Sequence, residues 1–312
     1  MFIQVIFYVG LAVFITFSLK RFIRIARMPV HLRWELYPVP HEPKYKVKYG
    51  GSYMEESEWW TKPLHTRPLG GLAFMIPEVL LLKGVWEHNR PLWLWSWLFH
   101  WGLYTLIIAM FWAGCSAIVT SLGVEVTTKA VGLWKIAFIK ITAISWISVV
   151  CGLIGTLGMI FMRLGSPKLR PFTSVAAIFN LLFILAIFLT GLISLAVNEG
   201  TVSRMIEFAG SLLRLNPAPE LPAALSLHLI VLALFLIYFP FTHMTHMFAK
   251  YFTWDSVRWD DRPNKKGGKT ERQVAEYLGY KVSWSAPHID GQGKKNWVDV
   301  VTSKGRKDAK TH

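Results

Sequence analysis

Cysteine is nearly missing from this sequence, with Cys115 and Cys151 the only two among 312 residues. They fall in different apolar runs and show neither CxxC nor CxxCH spacing, which excludes an iron–sulfur cluster or a covalently attached haem held by the chain itself. Acidic residues are few as well, 19 Asp and Glu against 34 Lys and Arg, for a formal charge of +15. There is no internal repeat. The apolar N-terminal run has no basic region ahead of it and no small-residue cleavage site behind it, so it reads as a retained anchor and not as a secretory signal.

Apolar side chains are what the sequence has in excess. They make up 53% of the residues, with a mean hydropathy of +0.36, too hydrophobic for a soluble domain of this length. The excess gathers in five runs, Phe2–Leu19, Leu92–Thr120, Leu133–Met162, Ser174–Val197 and Ala223–Phe248. A bilayer core takes about 20 apolar residues per helix, and each run is close to that length or longer. The expected fold is therefore all-α and integral to the membrane, with five transmembrane helices.

The basic residues sort by loop. Twelve lie between runs one and two, three between three and four, and fourteen from Lys250 onward; only Lys129, Lys135, Lys140, Arg204 and Arg214 fall elsewhere. A 29-to-5 split between alternate loops is the positive-inside pattern, which puts the N-terminus outside and the C-terminal tail in the cytoplasm of a multi-pass protein of the cell membrane. Topology thus accounts for the charge, and nucleic acid is not the expected partner.

Two domains are expected: a five-helix membrane domain over residues 1–250 and a cytoplasmic tail over 251–312 that docks on a partner. Within the first, residues 20–91 form a cytoplasmic or interfacial segment. Its apolar stretch Leu69–Lys83, interrupted by Pro77, is about half a membrane thick and reads as an interfacial or re-entrant helix. The composition of Arg262–Lys269 suits a flexible connector. Beyond it, Glu271–Leu278 suits a short helix and Lys281–Val300 an extended clamp.

Four of the ten histidines lie within spans: His100 in the second, and His228, His243 and His246 in the fifth. A ring nitrogen in hydrocarbon is costly unless satisfied, either by a hydrogen bond to a neighbouring helix or by a cofactor. Histidines near opposite ends of one helix, each facing a second helix, are how bundles hold b-type haems. His228 and His246 are 18 residues apart, five turns of an uninterrupted helix, which would place both on one face. On the same arithmetic His243 lies off that face, as a residue supporting a ligand or contacting a propionate, and Pro240 could kink the helix and blur the distinction.

Given the topology, His100 pairs with His246 near the cytoplasmic side. His228 needs a partner deeper in the second span, and ten residues beyond His100, about 15 Å along the axis, stands Met110. A thioether is a haem ligand, although a methionine at that place is also ordinary core filler. Arg90, Arg163 and Lys250, near cytoplasmic ends, could pair with propionates or snorkel to lipid phosphates. Trp93, Trp95 and Trp97 read as an interfacial belt, while Trp101 is deep enough to pack on a cofactor. Lys129, beyond the second span, could donate to a ligand carbonyl or be a solvated loop lysine. Two other readings stay open: a proton-relaying transporter, for which Lys140 and the histidines are nearly the only ionisable groups inside the spans, and a haem-free anchor for a peripheral enzyme.

The stretch LFHWGL at Leu98–Leu103, and the pattern running from His228 through Pro240 and Phe241 to His246, resemble the cytochrome b subunits of respiratory nitrate reductases, the gamma family. The resemblance implies His100 with His246 on a cytoplasmic-side haem, and His228 on an outer haem opposite the position that Met110 occupies here, where the family has histidine. That departure leaves a His/Met haem, a haem with an open coordination site, or no outer haem. His/Met is favoured because methionine can replace histidine and still bind iron.

HLRWELYPVPHEPK (His31–Lys44) and VSWSAPHIDGQGKKNWVDV (Val282–Val300) resemble a second group, the membrane cytochrome b subunits of redox complexes associated with dissimilatory sulfite reduction. That resemblance implies two haem b, menaquinone as substrate, and a cytoplasmic iron–sulfur partner like the catalytic subunit of heterodisulfide reductase. It also implies a further membrane quinone-binding subunit, a ferredoxin-like subunit and a multihaem cytochrome c. The implied activity is that of an electron-transfer subunit in a menaquinol-linked oxidoreductase of sulfur-compound respiration.

Overall fold

The computed structural model describes residues 1–27, 57–58, 75–247, 266–286 and 289–302. The chain divides into two compact units, one of residues 1–18 and 76–242 and the other of 19–75 and 243–312.

A helical stretch over 75–80 follows α1 (Phe2–Ala26), whose residues up to Ser18 belong to the first unit, and then come α2 (Lys83–His88), α3 (Arg90–Ser121), α4 (Gly132–Gly165), α5 (Val175–Val197), α6 (Thr201–Arg214) and α7 (Ala223–Tyr238). Among the described residues, five helices are long and apolar enough to cross a bilayer: α1, α3, α4, α5, and α7 continued to Phe241. At 32 and 34 residues, α3 and α4 are about 50 Å long and overrun a hydrocarbon core of about 30 Å. Their ends are set by sequence. Asn89 caps α3, accepting from the Leu92 N–H at 3.2 Å with Pro91 in the first turn, and Ser174 caps α5 by accepting from Ala177 N–H at 3.1 Å.

The fifth span departs from expectation. The helix expected to run from Ala223 to Phe248 stops at Tyr238, and two 3-10 turns follow, Phe239–Phe241 and His243–Thr245. Pro240 has no N–H to donate to the carbonyl one turn back, and its ring crowds that carbonyl, so the α-helical ladder ends there. The five-turn arithmetic that put His228 and His246 on one face therefore does not hold. The first span departs in the other direction, continuing past Leu19 to Ala26 through Lys20, Arg21 and Arg24, whose long stems can reach lipid headgroups.

Helix α4 is the centre of the packing, between α3 and α5, and α7 in turn packs on α5. The contact with α3 is made by bare backbone. A methyl at Gly102 would land on the backbone of Gly152, one at Gly155 on Phe99, one at Gly158 on the Trp95 indole, and one at Gly152 on the Phe188 ring. In lipid there is little hydrophobic drive between helices, and such close approach is what replaces it. A buried hydrogen bond from Ser148 Oγ to the Gly102 carbonyl, 2.9 Å, crosses the same interface. The sides turned away from the bundle are apolar, with Phe111 65% and Phe161 74% exposed, as a lipid-facing surface requires.

The amphipathic helix α6 packs on α3 and is clasped to α1 by buried polar groups. Gln4 Nε2 donates to Ser211 Oγ (3.1 Å) and to the Asn216 carbonyl (2.8 Å), Gln4 Oε1 accepts from Ala218 N–H (3.1 Å), and Tyr8 donates to the Leu212 carbonyl (2.7 Å). Of the expected re-entrant stretch Leu69–Lys83, residues 69–74 lie outside the described residues. Residues 75–80 are helical, Leu82 takes a left-handed turn, and α2 leads into α3. The stretch is held along α3, where Tyr104 donates to the Val79 carbonyl (2.8 Å) and Trp93 Nε1 to the Leu81 carbonyl (2.7 Å).

C-terminal to Met247, the second unit's described residues form α8 (Lys269–Leu278), an antiparallel pair of two-residue strands, β1 (Ser285–Ala286) and β2 (Ile289–Asp290), and α9 (Trp297–Thr302). Trp297 lies parallel to Tyr277 at 6.4 Å and edge-on to Trp284 at 6.2 Å, and Val282 is buried beneath the turn that follows β2. Asn296 and Asp299 cap α9 reciprocally, each side chain accepting from the other's N–H, at 2.8 and 3.0 Å. The stretch expected to be an extended clamp is thus partly folded on itself.

Candidate functional site

Met110 and His228 reach one cavity from two different spans. It has a volume of about 30 Å³, and Met110, Ser148, Phe188, Gly191, Ser194 and His228 are among its walls. Met110 is two-thirds of the way along α3 and His228 in the second turn of α7. Around the cavity a cluster of α7 leucines with Ile187, Phe7 and Phe208 packs on Leu106 and Met110. His228 itself is 5% exposed.

The imidazoles share one arrangement. His228 Nδ1 is 3.1 Å from Thr190 Oγ1 on α5. His100 Nδ1 is 2.6 Å from the carbonyl of Ser96, one turn earlier on α3. His246 Nδ1 is 3.2 Å from the His243 carbonyl. A carbonyl can only accept, so in His100 and His246 the ring proton sits on Nδ1 and the lone pair on Nε2. A histidine arranged this way presents Nε2 to a metal while its other nitrogen is tied to the protein.

The remaining candidates fall as follows. His100 belongs to the first unit, and His243 and His246 to the second. Arg90 places its guanidinium 4.6 Å over the Trp86 ring. Trp101 contacts Trp97 (5.9 Å) and Tyr104 (6.3 Å) edge-on, in a row of indoles running back to Trp93 and Trp86. Arg163 lies in the last turn of α4. Lys129 is exposed in the loop after α3, its N–H donating to Thr127 Oγ1 (3.2 Å). Lys250 and the His31–Lys44 motif lie outside the described residues.

Three contributors escaped the sequence reading. Ser96 is legible in principle, since a residue four before a helical histidine can offer its carbonyl. Thr190 and Gly191 are not, because they meet His228 only through the packing of α5 on α7.

A bundle of apolar spans in which Met110 and the buried His228 line one cavity, while His243 and His246 are exposed, defines a polytopic membrane protein. The profile described as nitrate reductase gamma subunit matches residues 86–258, more than half of the chain, and the chain belongs to that family. It is a cytochrome b-type membrane subunit that transfers electrons within a redox enzyme complex, and the family binds haem b. No curated protein and no solved structure matches the chain.

The donor set at this cavity fits haem iron. An imidazole with its Nδ1 already engaged and a thioether share one cavity whose other walls include small side chains, Ala109, Ser145, Ser148 and Gly191. A porphyrin is much larger than a gap of about 30 Å³, so the fit is one of donor chemistry and not of outline.

Proposed function

We propose that the chain is a di-haem cytochrome b that takes electrons from menaquinol and passes them to a cytoplasmic iron–sulfur subunit of the heterodisulfide reductase type, in sulfur-compound respiration. The observation that carries this reading is the shared cavity of Met110 and His228, with Met110 about 15 Å along the continuous helix α3 from His100. Two iron sites at different depths are what electron transfer across a core of about 30 Å requires.

When bound, each haem supplies a one-electron centre. The chain's own part is to hold and insulate it. His228 offers Nε2 and Met110 its thioether to the outer site, where a methionine ligand raises the potential relative to a second histidine. His100 and His246 are the proposed pair for the cytoplasmic site, each with Nδ1 donating to a backbone carbonyl. Arg90 and Arg163 stand at the same end as His100 and could neutralise propionates, with Lys250 and His243 as further candidates; Trp101 would flank the ring. Lys129 is the quinone-side candidate, exposed in the loop beyond Met110.

The quinone and the partners rest on resemblance: His31–Lys44 and Val282–Val300 resemble the membrane subunits of sulfite-reduction complexes, which also bring a second quinone-binding membrane subunit, a ferredoxin-like subunit and a multihaem cytochrome c. The positive-inside charge pattern places the tail on the cytoplasmic side, and its Trp284, Trp297 and Tyr277 cluster provides the aromatic surface on which protein interfaces concentrate their energy.

The test is a redox-titrated visible and low-temperature spectrum of the purified chain, with haem counted per polypeptide, for the wild type, Met110→Ala and His228→Ala. Two haems, of which one is perturbed by Met110→Ala and lost in His228→Ala, are expected. A single haem unchanged by both substitutions would remove the outer site, and a colourless protein would return the chain to the anchor reading.

A further inference from the structure

We infer that Thr190 is the positioning residue of the outer site: its hydroxyl accepts the Nδ1–H of His228 and so fixes Nε2 as the nitrogen offered to the cavity. The inference rests on the reading of His228 as a haem ligand given above.

The argument is a count of protons. A threonine hydroxyl has one to donate. Thr190 Oγ1 lies 2.7 Å from the Ala186 carbonyl and 3.1 Å from that of Ile187, one turn back on the same helix. Those oxygens can only accept, and the nearer, at 2.7 Å, is the shorter contact; with the hydroxyl proton given to it, Oγ1 meets Nδ1, at 3.1 Å, as an acceptor. In that arrangement the ring proton sits on Nδ1. Back-bonding to the Ala186 and Ile187 carbonyls also restrains the Thr190 hydroxyl beside the ring.

The next residue fixes the ring's position. A Cβ at Gly191 would lie 3.1 Å from His228 Cε1 and 3.5 Å from Nδ1, so the imidazole rests against bare backbone of α5. Two consecutive residues of one helix, 190 and 191, therefore set both the rotation and the tautomer of a side chain on another. Neither is a ligand, and Thr190 acts only through His228.

The chemical consequence has a sign. An acceptor on Nδ1–H makes the imidazole more basic at Nε2 and favours ferric over ferrous iron, which lowers the potential; losing such a partner costs roughly ten- to a hundredfold in metal affinity. Thr190→Val keeps the shape and removes the acceptor, whereas Thr190→Ser keeps the hydroxyl.

The experiment compares the full-length detergent-solubilised wild type, Thr190→Val, Thr190→Ser and His228→Ala for haem per polypeptide, for the potential of each haem and for the low-temperature spectrum. Thr190→Val is expected to hold the outer haem about ten- to a hundredfold more weakly and at a higher potential, with the cytoplasmic haem unchanged and Thr190→Ser like the wild type. If Thr190→Val matches the wild type in occupancy and potential while His228→Ala lacks the outer haem, the lock is wrong and the ligand reading stands. If His228→Ala keeps both haems, the ligand reading falls and the lock with it. Equal loss from both sites in Thr190→Val and Thr190→Ser would mark a folding defect and refute a positioning role.

Discussion

Substituting Gly155 by alanine tests whether the contact of α3 with α4 sets the position of His100. A methyl there would stand 2.6 Å from Phe99 Cα and closer still to its backbone nitrogen. Carbon atoms in ordinary contact are about 3.5–4 Å apart, so the two helices must separate by about 1 Å or the chain must bend. Overpacking of this kind costs about 1–3 kcal/mol, offset by up to about 1 kcal/mol because alanine is the better helix former. The expected net loss is about 1–2 kcal/mol. Gly114 provides the control: it lies on the same helix as Phe99, and an added Cβ meets nothing within 4 Å, so Gly114→Ala keeps the propensity gain without the clash.

The two variants should therefore move in opposite directions in a thermal unfolding series followed by size-exclusion chromatography in detergent. His100 is the residue after Phe99, so Gly155→Ala should also perturb the visible spectrum of the haem proposed there, while Gly114→Ala leaves it alone. A site displaced by 1 Å is enough for that. Gly155→Ala as stable as Gly114→Ala, with an unchanged spectrum, would show that the backbone contact is not what places His100.

Two other substitutions separate close alternatives. Gln4→Leu removes both halves of the clasp between α1 and the segment after α6 and leaves the Asn216 carbonyl and Ala218 N–H without that partner; a loss of about 1–3 kcal/mol is expected in the same unfolding series, and a variant as stable as the wild type would mean that water or lipid headgroups replace the amide. Ser96→Ala removes a hydroxyl 3.4 Å from His100 Nδ1 but keeps the carbonyl at 2.6 Å, so it should change stability by less than about 0.5 kcal/mol and leave the haem spectrum unaltered. A shifted spectrum in Ser96→Ala would transfer the anchoring role from backbone to side chain.

How far the sequence reaches depends on whether a feature is carried by one helix or by a contact between two. The five spans are legible because each is a run of apolar residues of sufficient length, and the depth of Met110 below His100 is legible because α3 is continuous from Arg90 to Ser121. Thr190 and Gly191 are invisible for the opposite reason: their spacing from His228 has no periodic meaning, and only the packing of α5 on α7 gives it one. The fifth span shows the boundary between the two cases. The separation of His228 and His246 looks like five turns, but a turn count is a statement about an unbroken ladder of N–H to carbonyl bonds, and Pro240 breaks that ladder after Tyr238. Proline was visible in the sequence; the extent of its effect was not, because a kinked helix and a terminated one leave the same residue there and differ only in whether the following peptides find partners outside the helix. His243 and His246 lie beyond that point, so the second takes its orientation from the 3-10 turn that brings the His243 carbonyl to its Nδ1, and not from the helical period that orients His228.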